Sequence, residues 1–291
     1  MAGRPRGRRL AGCRAKRCRL PSGRTETEDG LTVVPNLHDA VAVMAGSSSG
    51  IGREAACQLA EAGCRRLVVN GRNAARCAEA VAEVRRRAPG AEAHAIVADT
   101  SDAQAAERLM AETRARFGRI DILVNAASGG WLTPRPFERI PMDKVMEPIQ
   151  IHFLTALHCC AAAYPIMQAQ KGGVIINFSA DAAKVATPGE TVHGAVQAAV
   201  LMFSRTLAIE GARHGIRVNC VTPSITKDTI SYDRMMADEF SRKLFVKAEG
   251  RARLGVAAAR NIAPLVVFLA SPQASHLTGQ AISVNGGISA A

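Results

Sequence analysis

From residue 40 onward, short runs of apolar residues alternate with longer stretches in which apolar positions return every three or four residues. The runs over 40–44, 66–70, 94–98, 120–125, 173–178, 216–221 and 281–284 predict strands. The first is small or apolar on both faces, the mark of a strand covered on both sides. Between the runs the periodicity predicts helices. Ile51, Ala55, Leu59 and Ala62 share one face ahead of Gly63, which suits a C-terminal cap. Ala78, Val81 and Val84 form the inward face of a helix over 74–87, and further helices are expected over 102–117, 142–171, 191–214 and 257–270. Strict alternation of strand and helix implies a parallel sheet with helices on both faces. This is a doubly wound, seven-stranded α/β fold that takes its ligand at the carboxyl ends of the strands.

Composition adds limits. The 291 residues are 48% apolar, enough for the core of one large α/β domain, expected over 39–291. No apolar run is expected to reach membrane-spanning length, so no membrane partner is anticipated. Eight cysteines show no metal-ligand spacing; several fall in helical apolar patterns, as reduced thiols of a cytoplasmic protein do. The net charge of +12 is concentrated at the start, where residues 1–30 hold nine basic groups against three acidic ones. That basic extension, 1–38, carries Pro5, Gly7 and Pro21 and few large apolar residues, and is expected to be disordered. A nucleic-acid arm or a transit peptide has this charge, but with Ser22 as its one serine and poor amphipathicity it reads as an extension outside the chemistry.

The candidate chemistry begins after the first strand. Gly46, Gly50 and Gly52 remove side chains in the turn before a helix whose unpaired N–H groups attract phosphate. With Ser48, Ser49 and Ile51 they outline a dinucleotide pyrophosphate site. At the end of the second strand stand Asn70, Gly71, Arg72 and Asn73, with no carboxylate. An acid there selects NAD and a base accommodates the 2′-phosphate of NADP, so NADP(H) is favoured over NAD(H). Arg72 is the expected phosphate ligand, its alternative being a solvated surface arginine.

The G-x-x-x-G-x-G spacing resembles that of the short-chain dehydrogenase/reductase family, a Rossmann-fold family. Asn125-Ala126-Ala127-Ser128, Arg217-Val218-Asn219-Cys220-Val221-Thr222-Pro223-Ser224, Leu277-Thr278-Gly279-Gln280 and Val284-Asn285-Gly286-Gly287 are similar to its later motifs, so the resemblance spans about 39–288. It implies that Asp99 contacts adenine, with helix capping as the alternative, and that Asn125, Ala126, Ala127 and Pro223 border the cofactor. It also implies a small-molecule substrate under a variable lid near 225–250, and a homotetramer or homodimer built on the two long helices, where 161–163 and 195–200 are small enough for close packing.

The catalytic positions depart from the family pattern. Aligned on Ile175-Ile176-Asn177, Ala180 stands where the family has Ser, His193 where it has Tyr, Gln197 where it has Lys and His152 where it has Asn. Ser179 lies one residue from the family's serine, and neither Tyr164 nor Tyr232 belongs to a Tyr-x-x-x-Lys pair. A phenol needs a neighbouring cation to become acidic near neutrality, whereas a free imidazole titrates near 6.5 without one. His193 is therefore the expected proton donor and acceptor, with the Gln197 amide free to bond the cofactor ribose and His152 or Asp181 to orient the ring. Three readings follow. One is a histidine-based oxidoreductase acting on a carbonyl or secondary alcohol. The second is a lyase, hydrolase or isomerase using His193 and His152, and the third a silent cofactor-binding homologue.

Overall fold

The computed structural model describes residues 36–129 and 133–291. All but the last three residues of the basic extension, with Cys13 and Cys18, lie outside the described residues. The seven strands are β1 (Val41–Ala45), β2 (Arg66–Gly71), β3 (Glu92–Val97), β4 (Ile122–Asn125), β5 (Gly173–Phe178), β6 (Ile216–Pro223) and β7 (Ala281–Val284). They form one parallel sheet in the order β3-β2-β1-β4-β5-β6-β7. The order reverses direction between β1 and β4, where a doubly wound sheet opens its ligand crevice.

Helices α1 (Gly50–Glu61), α2 (Ala74–Arg87) and α3 (Ala103–Phe117) follow the first three strands. Each face of the sheet has its own core. One gathers Met44, Leu59, Leu67 and Ile176 with Ile262, Val266 and Leu269 of α9 (Ala259–Ala270). The other gathers Val43, Leu123 and Ile175 with Leu109 and Met110 of α3 and Cys159, Ala163 and Met167 of α5 (Thr155–Ala169). Cys77 and Ala80, not Ala78, face inward from α2 with Val81 and Val84. Val81 and Val84 keep the expected face, and 77, 80, 81 and 84 share it by their three- and four-residue spacing, which turns Ala78 outward.

Two departures shape the site. The single helix expected over 142–171 is broken: the one-turn α4 (Met146–Pro148) runs into a π-helical segment, Ile149–Leu154, before α5. Pro148 supplies a cause, since its missing N–H and its ring disturb the regular ladder. The stretch expected as a lid is two helices, α7 (Ile230–Ala237) and α8 (Glu239–Glu249), capped by the Thr229 and Asp238 side chains.

The stretches Met142–Ala169 and Thr191–Ala212 (α6) are long and apolar enough to cross a membrane by length and composition, which corrects the expectation that no run reaches that length. Their apolarity has a use inside this fold. Cys159, Cys160, Ala163 and Met167 of α5 and Ala208 of α6 pack in the second core, while Met202 and Ile209 lie exposed.

Candidate active site

The β1–α1 turn is shaped by what its glycines lack. Gly46 and Gly50 hold φ of +72° and +56°, and a Cβ on Gly46 would overlap the backbone of Ala127. A Cβ on Gly52 would stand 2.7 Å from the Gly46 carbonyl oxygen, so Gly52 serves the close approach of α1 to the turn rather than the cavity. Ser49 begins α1 without a side-chain cap, which leaves first-turn N–H groups without a side-chain acceptor. Asn70, fully buried, ties the turn to the neighbouring strands. Its side-chain amide donates to the carbonyls of Ile96 (3.0 Å) and Ala98 (3.2 Å), and its backbone carbonyl accepts from Ser47 N–H (2.9 Å). The spacing that singled out the glycines gave no hint of this asparagine, whose signal is its place at a strand end.

One cavity of about 820 Å³ runs from this turn across the carboxyl ends of the strands. Gly46, Ser48, Ser49, Gly50 and Ile51 border one end with Arg72, Asn73 and Asp99. Ala126, Ala127 and Pro223 border the middle. Ser179, His193, Gln197 and His152 border the far side, roofed by Met235, Leu244 and Phe245 from α7 and α8. Asn125 does not reach it. It is turned into the core, donating to Asn177 Oδ1 at 2.8 Å, and Asn177 donates in turn to Ser204 Oγ at 2.8 Å.

At the adenosine end Arg72 faces Asp99 across 3.8 Å, a loose and exposed ion pair. Asp99 accepts from Ser101 N–H and Oγ–H, and α3 is capped by Asp102, so the helix-capping alternative for Asp99 is replaced by a local turn. Asn73 caps α2 by accepting from Arg76 N–H at 2.9 Å. Arg76 also lines the cavity, a second cation there that the strand-end pattern did not bring forward.

At the opposite end the π-helical segment carries His152 toward the first turns of α6. The rings of His152 and His193 lie edge to face with centroids 6.0 Å apart, and the Gln197 amide nitrogen is 3.2 Å from His152 Nδ1. His152 Nε2, His193 Nδ1 and Gln197 Oε1 are buried with no hydrogen-bond partner. Three such atoms around one cavity are the groups a polar ligand would satisfy. Ser179 is already engaged, donating to the Gln197 backbone carbonyl at 2.9 Å. Asp181 does not orient a histidine: it accepts from Ser283 (3.0 Å), Asn285 (2.6 Å) and Ser289 (2.9 Å) near the C-terminus.

Electrostatics change the sequence expectation for the histidines. Burial holds His152 down at about 4. Burial and then the neighbouring His152 hold His193 down at about 3. Both rings are neutral at neutral pH, whereas a free imidazole is still about a quarter protonated at pH 7. Among cavity-lining groups the opposite shift occurs at Glu190, which burial and then the Asp181 charge push up to about 7. Glu190 was missed in the sequence because it stands at a helix entry, where an acid is commonplace.

The residues fit a bound dinucleotide. The space that a Cβ on Gly46 would close and the uncapped start of α1 are what a pyrophosphate requires. Among the described residues no group of three or more His, Cys, Asp or Glu side chains is placed to hold a metal ion, and Cys57, Cys64, Cys77, Cys159, Cys160 and Cys220 are free and buried.

Comparison with known proteins agrees in sequence and in shape. The family model described as Enoyl-(Acyl carrier protein) reductase matches residues 45–289. A 3-oxoacyl-acyl-carrier-protein reductase, FabG, of Staphylococcus aureus is 34% identical over 247 residues, covering 85% of this chain and 97% of its own length. Among solved structures, a levodione reductase superposes with a TM-score of 0.80 at 28% identity, over 86% of this chain and 97% of that one. A gluconate 5-dehydrogenase from Burkholderia cenocepacia J2315, solved in complex with NADP and tartrate, gives 0.77 at 27% identity, over 86% and 94%.

Proposed function

Because the chain belongs to the short-chain dehydrogenase/reductase family, whose members are nicotinamide-dependent oxidoreductases, we propose that it is an NADP(H)-dependent oxidoreductase interconverting a carbonyl compound and a secondary alcohol. His193 moves the proton in this reading. The observation that carries it is the meeting of two imidazoles, each with one unpartnered ring nitrogen, with the glycine turn in one cavity.

Bound NADP(H) supplies or takes up the hydride. The α1 N-terminus and the turn of Gly46, Ser48, Ser49 and Gly50 would hold its pyrophosphate, Arg72 and Arg76 its 2′-phosphate, and Asp99 would border its adenine. Arg72 exchanges a loose contact with Asp99 for a bidentate phosphate pair, a gain for a guanidinium. Gln197 bonds the ribose through the amide oxygen that has no protein partner, while its nitrogen orients His152. In alcohol oxidation the His193 ring, neutral in the cofactor-free protein, accepts the hydroxyl proton, and bound cofactor and substrate must raise its proton affinity above that of the empty cavity. The helices α7 and α8 form a lid whose Met235, Leu244 and Phe245 favour a moderately apolar body on the substrate. The exposed Met202 (60%) and Ile209 (77%) on α6 support pairing of copies through the long helices, as a homodimer or homotetramer in a reducing, cytoplasmic setting.

The test is a cofactor titration followed by turnover of a carbonyl and alcohol panel. NADPH is expected to bind with a Kd on the order of 1 μM and more tightly than NADH. His193→Ala is expected to keep that binding and lose on the order of 100-fold or more in turnover. No nicotinamide binding ends the redox reading, and unchanged turnover in the variant ends the role of His193. Conversion without NADPH consumption points to lyase, hydrolase or isomerase chemistry, and binding with no conversion to a silent homologue.

A further inference from the structure

The lid meets the cavity with an apolar end and a basic end. Leu244, Lys247 and Ala248 of α8 line the cavity from one face of the helix, with Phe245 beside them. Arg251, also lining it, continues that face past the helix end, where its N–H still donates to Ala248 O at 2.9 Å. Leu244 lies over the entry of α6, for a Cβ on Gly189 would stand 3.3 Å from its Cδ1, and Gly189 is four residues before His193. Lys247 and Arg251 follow one and two turns on, about 4.5 and 10 Å farther along the axis at the helical rise. Both are exposed, so this basic end is the mouth of the cavity.

Neighbouring charges on the lid are paired, and these two are not. Glu249 holds Lys227 at 3.5 Å and accepts from the Tyr232 hydroxyl at 2.8 Å, Asp238 holds Arg135 at 3.6 Å, and Glu239 holds Lys243 at 2.7 Å. None of these acids reaches the cavity, whose lid wall carries Arg234, Lys247 and Arg251 and no carboxylate. Among the described residues the Lys247 and Arg251 side chains have no hydrogen-bond or ion-pair partner. The acids elsewhere in the wall are apart from them: Asp99 faces Arg72, Asp181 is held by three donors, and Glu190 stands at the α6 entry next to Gly189. Nor do the two cations belong to the cofactor's phosphate end. The chain just after Arg251 is tied to the segment that follows β7, Leu254 N–H donating to Gly286 O at 3.0 Å. Arg72 and Arg76 follow β2, and β1, β4, β5 and β6 stand between β2 and β7, a separation of about 24 Å at the usual strand spacing.

We propose that Lys247 and Arg251 form an anion subsite at the mouth of the cavity, so that the substrate is an apolar carbonyl compound or alcohol carrying a carboxylate or phosphate at the end away from its reacting carbon. The proposal rests on the reading of this cavity as the substrate pocket, with His193 at the reacting carbon. Leu244, Phe245 and Met235 then cover the apolar chain between the two ends. The anionic oxygens meet the Arg251 fork and the Lys247 ammonium, two cations free to turn toward them. Because both remain in contact with water, the preference they give over an uncharged end is modest, about 10-fold.

Calorimetric titration of the full-length protein, with and without NADPH, tests this by binding alone. The probes are an oxooctanoate whose carbonyl lies at the end remote from the carboxylate, its methyl ester, and the matching oxoalkyl phosphate. The keto acid or the phosphate is expected to bind about 10-fold more tightly than the ester, by a margin that shrinks as salt is raised. Whichever of the two anions binds more tightly identifies the charged end. In the Lys247→Gln, Arg251→Gln double variant that margin is expected to vanish, whereas Arg253→Gln, which removes a nearby cation outside the cavity wall, is expected to keep it. Should the double variant not fold, Lys247→Glu alone is expected to turn the preference toward the ester. Equal affinity of anions and ester in the wild type overturns the proposal, as does a margin that survives the double variant or an absence of binding by both anions. Failure of NADPH to bind ends the redox reading, while the comparison made without cofactor still decides the subsite.

Discussion

At the scale of the residue, the clearest dependence of function on structure is at Gly46. Two costs meet there: a left-handed φ of +72° and a Cβ that would overlap the Ala127 backbone. The first costs an L-residue about 1–2 kcal/mol, and the second must be relieved by moving the wall of the cofactor cleft. Gly63 isolates the first cost, since it holds φ of +103° with nothing within reach of an added Cβ. Gly63→Ala is therefore expected to lower stability by about 1 kcal/mol and leave NADPH affinity alone. Gly46→Ala is expected to weaken NADPH binding at least 10-fold, about 1.4 kcal/mol, beyond any loss of stability. Denaturant melts and a cofactor titration on the two variants check this, and equal affinities would show that the turn has slack. The histidines make a different point. Their positions were legible from alignment on the 175–177 strand, but their protonation was not, because it is set by burial between segments far apart in the chain.

At the scale of the element, legibility followed periodicity. Strands β5 and β7 and helix α2 begin and end where their apolar patterns do, because Gly173, Ala281 and the Asn73 cap punctuate them locally. The helix over 142–171 was read as continuous because apolar spacing cannot report the π-helical turn that delivers His152 to the cavity. The lid helices were overlooked for another reason: they pack over an open cavity, so their mixed polarity lacks a clean stripe. One buried cation fastens elements that no periodicity connects. Arg217 on β6, 8% exposed, donates to the carbonyls of Leu269 (2.8 Å) and Ser271 (3.4 Å) at the end of α9 and of Leu277 (3.3 Å) before β7. Arg217→Met keeps the apolar stem and takes the guanidinium from the Leu269 carbonyl, while Ser271 O keeps the Ala274 N–H (3.2 Å) and Leu277 O keeps Asn219 Nδ2 (2.8 Å), so a loss of about 1–3 kcal/mol is expected in urea unfolding. The exposed pair Arg260–Asp228 at 3.2 Å is the contrast, for its removal should cost less than about 1 kcal/mol. Equal losses would mean that β6 is held by apolar packing alone.

At the scale of the whole molecule, the shifted groups around the cavity govern how stability responds to pH in the cofactor-free protein. His152 and His193 take up protons near 6.5 when unfolded but only near about 4 and about 3 when folded. Their contribution is present above 6.5 and is lost as pH falls toward those folded values, because the unfolded chain binds the extra protons. Glu190 acts in the opposite sense. Its folded value of about 7 stands above the ordinary 4.5, so its contribution is complete below 4.5 and lost as pH rises through 7. Between 4.5 and 6.5 the unfolded chain holds two imidazole protons that the native chain lacks, and the native chain holds one carboxyl proton that the unfolded chain lacks. The difference is one proton, a slope of up to about 1.4 kcal/mol per pH unit, reduced by the screening of cavity water. From pH 6.5 to 5 the free energy of unfolding is thus expected to drop by up to about 2 kcal/mol. In Glu190→Gln the carboxyl's counterweight is gone and the slope should approach twice as steep. In a His152→Asn, His193→Phe double variant the slope should reverse sign, leaving Glu190 alone to favour acid. Urea unfolding of the three proteins at pH 5 and 6.5 decides the matter, and parallel pH dependence in all three would place the acid sensitivity outside the cavity.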